Sequence, residues 1–164
     1  MAYLRLAIEP MPYTSAMASL AKLLPRQAWD SVRRAAYRAA GYRCQTCGKD
    51  GRLNCHEIWH FNETTGYQWL MGFQALCDDC HGVTHMLSLT NRQEFDRLTT
   101  HFMAVNKVSA REFRDHLEQA RQRRMELNQR EWRIAFGDYA FRVPALKTIE
   151  ERKRYVAIEQ PHYH

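Results

Sequence analysis

Cys44-Gln-Thr-Cys47, Leu53-Asn-Cys-His56-Glu57-Ile58, Cys77-Asp-Asp-Cys80-His81 and His85 are the parts of one segment, and its reading decides the fold. Two Cys-x-x-Cys knuckles about 30 residues apart supply the four thiolates that one tetrahedral zinc takes, two from each tight turn. A closed four-sulfur site has no open position, so Cys44, Cys47, Cys77 and Cys80 are expected to serve structure. His56 and Glu57 between the knuckles, and His81 and His85 after the second, are then left over. Histidines at i and i+4 share a helix face and can take one metal together. With a His-Glu pair opposite, they have the composition of a second, catalytic metal site. The fifth cysteine, Cys55, reads as a small apolar filler inside a strand.

Upstream, Trp29, Val32, Ala36 and Ala40 recur at three- and four-residue spacing. This predicts a helix over Arg26 to Ala40 with Gly41 at its C-terminal end. Its other face carries Arg33, Arg34 and Arg38, which is either a solvated face or a phosphate-contacting one. A short helix over Ser15 to Leu24, stopped by Pro25, and an extended arm over residues 1–15 complete the N-terminal side. No chemistry is assigned to the arm. Within the segment, Gly48 lets the first knuckle curl, Arg52 to Phe61 reads as a strand, and a turn at Asn62-Glu-Thr-Thr-Gly66 returns the chain through Tyr67 to Leu76 as a second strand or an extended loop. A helix containing both His81 and His85 is expected to start at the second knuckle.

Downstream, Asn91-Arg-Gln-Glu94 and Ser109-Ala-Arg-Glu112 are capping boxes. The first opens a helix with Phe95, Leu98, Phe102 and Val105 on one face. The second opens one with Ala110, Phe113, Leu117, Ala120 and Leu127, running to about Arg133. Trp132 to Val143 reads as a hairpin or a hook back onto the body. Lys147 to His164 reads as a short helix in which His162 and His164 are tail residues rather than ligands.

The 164 residues are 45% hydrophobic, the size and composition of one ordinary folded domain. A net charge of +6 and a pI near 9.2 point toward a polyanionic partner, with simple solubility charge as the alternative. Paired cysteines at this spacing fit reduced thiolates on a metal better than disulfides. Met1 to Leu24 contains no apolar run of the length that a signal segment or membrane span needs. The expectation is a cytoplasmic protein without a membrane partner.

Cys-x-x-Cys, Leu-x-x-His-Glu-Ile, Leu-Cys-x-x-Cys-His and a final His, in this order and spacing, resemble the HNH endonuclease family in its variant with four zinc cysteines. The match runs from about Trp29 to His85, roughly a third of the chain. The resemblance implies an α+β protein with a ββα-metal (His-Me finger) nuclease core and a structural zinc, embedded in N- and C-terminal helices. In that fold a β-hairpin and a helix pinch one divalent metal, and the enzyme cleaves nucleic-acid phosphodiesters. Cys44, Cys47, Cys77 and Cys80 match the zinc cysteines, and His81 and His85 match the metal-site residues of the helix. On the strand the commoner family pattern is Leu-x-Val-Asp-His-Ile, with Asp as ligand and His as general base. Strict register therefore puts His56 in the ligand slot and Glu57 in the base slot. Side-chain chemistry favours the reverse, because imidazole is the better base near neutral pH and a carboxylate suits a hard metal. His56 is accordingly taken as the base and Glu57 as ligand or base-orienting partner; His60 enters only if the strand bulges. Gly72 stands where the family has its middle Asn, leaving Asn62 or Gln68 to brace the hairpin.

The implied function is a metal-dependent endonuclease acting on DNA, with RNA left open. Zn²⁺ would be structural and Mg²⁺ or Mn²⁺ catalytic, and a histidine-rich site also accepts Ni²⁺ or Zn²⁺. Arg33, Arg34 and Arg38 would hold the nucleic-acid backbone. Two alternatives stand beside it. A non-catalytic zinc-ribbon module binding nucleic acid or a partner protein explains the cysteines and charge but gives His56, Glu57, His81 and His85 no task. A nuclease subunit of a larger defence or packaging assembly, with a protein partner or as a homodimer, would be silent alone. The expected organisation is an arm and short helix over 1–25, a zinc-pinned core with its leading helix over 26–88, and a helical extension over 89–164.

Overall fold

Pro25 separates two helices and serves as the N-cap of the second, where its fixed φ and missing N–H cost nothing. In this computed structural model, which describes residues 4–15 and 19–148, the first helix, α1, is Leu20–Leu23, with the Ser19 hydroxyl accepting from Ala21 N. The expected start near Ser15 lies five residues before it, beside positions outside the described residues. Helix α2 is Arg26–Ala39. Gly41 follows it with φ 59°, the left-handed turn that releases the chain into the first knuckle.

Strands β1 (Asn54–Asn62) and β2 (Tyr67–Leu76) pair antiparallel from Asn54↔Leu76 to Asn62↔Tyr67. Asn62 closes the turn: its Oδ1 accepts from Thr65 N at 3.0 Å, and its carbonyl accepts from Gly66 N at 2.8 Å. Gly66 has φ 72°, which only glycine adopts freely. The register slips once, between Ile58↔Gly72 and Trp59↔Leu70, so Met71 is the extra residue and the bulge belongs to β2. Strand β1 keeps its alternation throughout.

After β2 come α3 (Asp78–Thr84), a 3₁₀ turn (Met86–Ser88), α4 (Arg92–Asn106) and α5 (Ala110–Leu127). Asn91 Oδ1 accepts from Glu94 N, and Ser109 and Glu112 form the reciprocal box at the start of α5. Helix α5 stops at Leu127, short of the expected Arg133. The Trp132 indole N–H donates to the Leu127 carbonyl at 2.9 Å, and Arg133 N donates to Gly66 O at 3.0 Å. Burial of Trp132 thus turns the chain back, and β3 (Arg133–Ala135) joins the sheet parallel to β2 in the order β1-β2-β3. This is the hook onto the body, not a hairpin. Helix α6 (Tyr139–Arg142) follows, and residues 144–148 are helical. The rest of the expected tail helix, with His162 and His164, lies outside the described residues.

The molecule is α+β, and its sheet divides two cores. One gathers Leu6 and Ile8 of the arm, Leu76, Val83 of α3, Leu98 and Phe102 of α4, and Phe113 and Leu117 of α5 around the cysteines. The other gathers Leu20, Leu24, Leu70, Ile134 and Phe136, with Trp29, Trp59 and Phe73 packed against them. Tyr37 of α2 donates its hydroxyl to Leu53 O at 2.8 Å, tying α2 to the entry of β1. No helix among the described residues is long and apolar enough to cross a membrane.

Candidate metal centres

The four knuckle cysteines converge. Cys44 and Cys47 come from the loop after α2, Cys77 caps α3 and Cys80 lies in its first turn. Gly48 has φ 79° and donates its N–H to Cys44 O at 2.8 Å, curling the first knuckle. Burial opposes ionisation of Cys44, yet the N–H groups of Cys47, Cys77 and Thr46 aimed at its sulfur hold the thiol down to about 7. Cys80 is pushed up by burial and by the sulfurs of Cys44, Cys77 and Cys47, so four thiolates coexist there only around a cation. The four sulfurs lie within 4.8 Å of one another, and Cys47 and Cys77 are 3.6 Å apart. Metal–sulfur bonds of ~2.3 Å in a tetrahedron place sulfurs about 3.8 Å apart. The cysteines are free rather than disulfide-bonded, and the donor set fits a metal such as zinc. His101 Nε2 approaches Cys80 Sγ at 3.2 Å from α4.

His56, His81 and His85 form the second group, with one ring nitrogen from each within 4.8 Å of the others. His56 projects from β1 and is 2% exposed. His81 sits in α3, whereas His85 is its C-cap, so the helix ends one residue earlier than expected. The stack survives: His85 N donates to His81 O, and the two rings are 4.7 Å apart, with His56 at 5.5 and 5.1 Å from them. Burial, then the proximity of His85 and His56, lowers His81 to about 4. The surrounding protein, then His56, lowers His85 as well, although the residue is exposed. Both are therefore neutral near pH 7, the form in which imidazole binds a metal. His56 Nδ1 is buried and has no hydrogen-bond partner. An orphaned acceptor in a three-imidazole group fits a divalent ion of the borderline class.

Glu57 points to the other side of β1 and is not in the trio. Its Oε1 accepts from Leu20 N at 3.0 Å, and burial pushes its carboxyl above the usual range. It meets the centre from another direction, because Glu57 and His85 both line a cleft of about 350 Å³ with Pro12, Tyr13, Trp59 and Ser88. His60 pairs with Trp69, is exposed and is outside the trio, as the bulge in β2 leaves β1 regular. Burial drives the Cys55 thiol up to about 12, consistent with an inert filler. Asn62 braces the hairpin turn, while Gln68 is buried and accepts from the Ser15 hydroxyl at 2.7 Å.

The three arginines of α2 expected to contact phosphate diverge. Arg33 is paired with Asp30 at 2.7 Å, whereas Arg34 and Arg38 line a shallow groove together with Arg26. Arg26 was legible from its spacing, eight and twelve residues before the other two on one helical face. The arm holds a second residue that sequence reasoning passed over. Glu9 Oε1 is 2.8 Å from His56 Nε2. The available signal was weak: Glu9 is the only acidic residue before Asp30.

Comparison of the chain with protein-family models, with curated proteins and with solved structures returned no match.

Proposed function

We propose that this chain is a metal-dependent endonuclease of the HNH type, with a ββα-metal core that hydrolyses phosphodiester bonds in DNA. The observation that carries the reading is the His56, His81 and His85 trio between β1 and α3, on a helix whose first turn belongs to the four-cysteine cluster. His56, His81 and His85 would hold one divalent ion, Mg²⁺ or Mn²⁺, or Ni²⁺ or Zn²⁺ by donor preference. When bound, such an ion supplies Lewis-acid stabilisation of the charge that builds on the scissile phosphate.

Glu57 takes the proton of the attacking water in this reading. Its carboxylate opens on the cleft that His85 lines, and its hydrogen bond from Leu20 N fixes its direction. This exchanges the roles expected from side-chain chemistry and follows the strict strand register. The reason is that both nitrogens of His56 are committed, Nε2 to Glu9 and Nδ1 as the atom free for the metal. Arg26, Arg34 and Arg38 hold the sugar-phosphate backbone along the α2 groove without reading bases.

The test is plasmid incubation with Mg²⁺ or Mn²⁺ for the wild type, His81→Ala and Glu57→Gln. The wild type is expected to nick or linearise the plasmid, and each variant to lose on the order of 10²- to 10⁴-fold in rate. Tight binding with no cutting by the wild type would make the chain a binding module instead. Cutting that appears only with added cell extract would make it a subunit of a larger assembly.

A further inference from the structure

We infer that Glu9, in the N-terminal arm, is the positioning residue of the histidine centre: its carboxylate holds His56 in the one tautomer that leaves Nδ1 free to bind a metal. This rests on the proposed metal-binding reading of His56, His81 and His85 and adds to it a residue that lies outside the segment resembling the HNH family.

A neutral imidazole carries one N–H and one lone pair, and a carboxylate only accepts. Glu9 Oε1 at 2.8 Å from Nε2 therefore puts the proton on Nε2 and the lone pair on Nδ1. That nitrogen belongs to a side chain 2% exposed and has no hydrogen-bond partner. A buried acceptor without a donor is costly in a core, and a cation on the same nitrogen removes the cost. Glu9 is not among the tightly grouped donor atoms itself, which separates the positioning role from a ligand's. A carboxylate that takes the distal N–H of a histidine ligand fixes the ring and raises its basicity.

The arm is held as such a device requires. Glu9 N donates to Thr84 O at 2.9 Å, at the end of the helix that carries His81. Ile8 N donates to His116 Nε2 at 3.0 Å, and Asn106 both accepts from Leu6 N and donates to Leu6 O. Leu6 and Ile8 are each 2% exposed in the core around the cysteines. With the backbone fixed at Leu6, Ile8 and Glu9, the carboxylate has little freedom to leave His56. None of these apolar contacts and backbone bonds uses the Glu9 carboxylate, so Glu9→Ala leaves them in place.

The experiment is Co²⁺ titration of full-length protein whose cysteine cluster has been loaded with zinc. Affinity is read by calorimetry and by the visible absorption of the bound ion. The ring-nitrogen NMR shifts of His56 give the tautomer. The wild type is expected to take one Co²⁺ and His81→Ala to lose it. Glu9→Ala should weaken binding by about 10- to 100-fold and release His56 into mixed tautomers, and Glu9→Gln, which keeps an acceptor oxygen, should recover part of both. An unchanged thermal midpoint in Glu9→Ala would show that the arm remains docked. Co²⁺ affinity and tautomer within twofold of wild type in Glu9→Ala would overturn the role of Glu9 while leaving the trio intact. A wild type that takes no Co²⁺ would overturn both this inference and the metal-binding reading beneath it.

Discussion

His116 is a second histidine bonded to the arm, and it differs from His56 in that its ring nitrogen accepts from a backbone N–H rather than donating to a carboxylate. Its Nε2 takes the N–H of Ile8, its ring stacks on Phe102, and burial lowers its pKa below the usual value near 6.5. Protonation would place a hydrogen where Ile8 already points one. The stability it contributes is therefore complete above the unfolded pKa of about 6.5 and is lost as pH falls from there toward the lower folded value. The thermal midpoint of the wild type should fall more steeply between pH 7 and pH 5 than that of His116→Gln, whose amide oxygen accepts without titrating. Equal slopes would remove His116 from the account of the arm. Residues of this kind explain why Glu9 and His56 were not paired from sequence: they stand 47 positions apart, and nothing periodic links them.

Helix α3 is where element and site are coupled. Gly82 lies between His81 and the C-cap His85 because α4 passes so close that a Cβ there would meet Leu98 Cδ1 at 2.8 Å. Leu98 is fully buried and has little room to yield. Overpacking costs ~1–3 kcal/mol, against a gain of ~1 kcal/mol in helix propensity for Gly→Ala. Gly82→Ala should thus destabilise by about 1 kcal/mol net, seen in a urea midpoint, and should weaken Co²⁺ binding by displacing His81. A stabilised variant would mean that α4 gives way instead. Helix α5 offers a cleaner case. Ser109→Ala removes the hydroxyl that accepts from Glu112 N, leaves the Ser109 N–H bond to the Glu112 carboxylate, and should cost about 1 kcal/mol by the same measurement, without affecting metal binding. Its start was legible from Ser109 and Glu112, but its end was not. Arginine-rich polar sequence continues past Leu127 without a breaker, and only the burial of Trp132 against that carbonyl decides where the helix stops.

At the scale of the molecule the cysteine cluster holds together the first core, since the arm, α3, α4 and α5 all pack around it. Removing a metal bound by these cysteines with a strong chelator should lower the thermal midpoint by on the order of 10 °C and broaden the transition, followed by circular dichroism. Retention of a sharp, unshifted transition would mean that the apolar contacts suffice. Charge acts at the same scale. If the groove of α2 contacts backbone phosphates, Arg34→Ala and Arg38→Ala should each lower the slope of log affinity for DNA against log salt by roughly 0.9. Arg33→Ala should change it less, because that guanidinium is already paired with Asp30. Equal effects of all three would point to diffuse charge rather than a groove.

Local spacing by itself determined the pairing of cysteines within each knuckle, the starts of α4 and α5 and the stacking of His81 with His85. Each depends on residues a few positions apart, where backbone geometry alone dictates which side chains meet. The division of labour between His56 and Glu57 was open at that level, because alternation along β1 sends neighbours to opposite faces without saying what waits on each. Tertiary structure decided only the surroundings of each. Packing of the arm brought Glu9 to His56, and the start of α1 brought Leu20 N to Glu57. Those partners come from distant parts of the chain, and their arrival is governed by burial of Leu6, Ile8 and Leu20 rather than by any pattern around the histidines themselves.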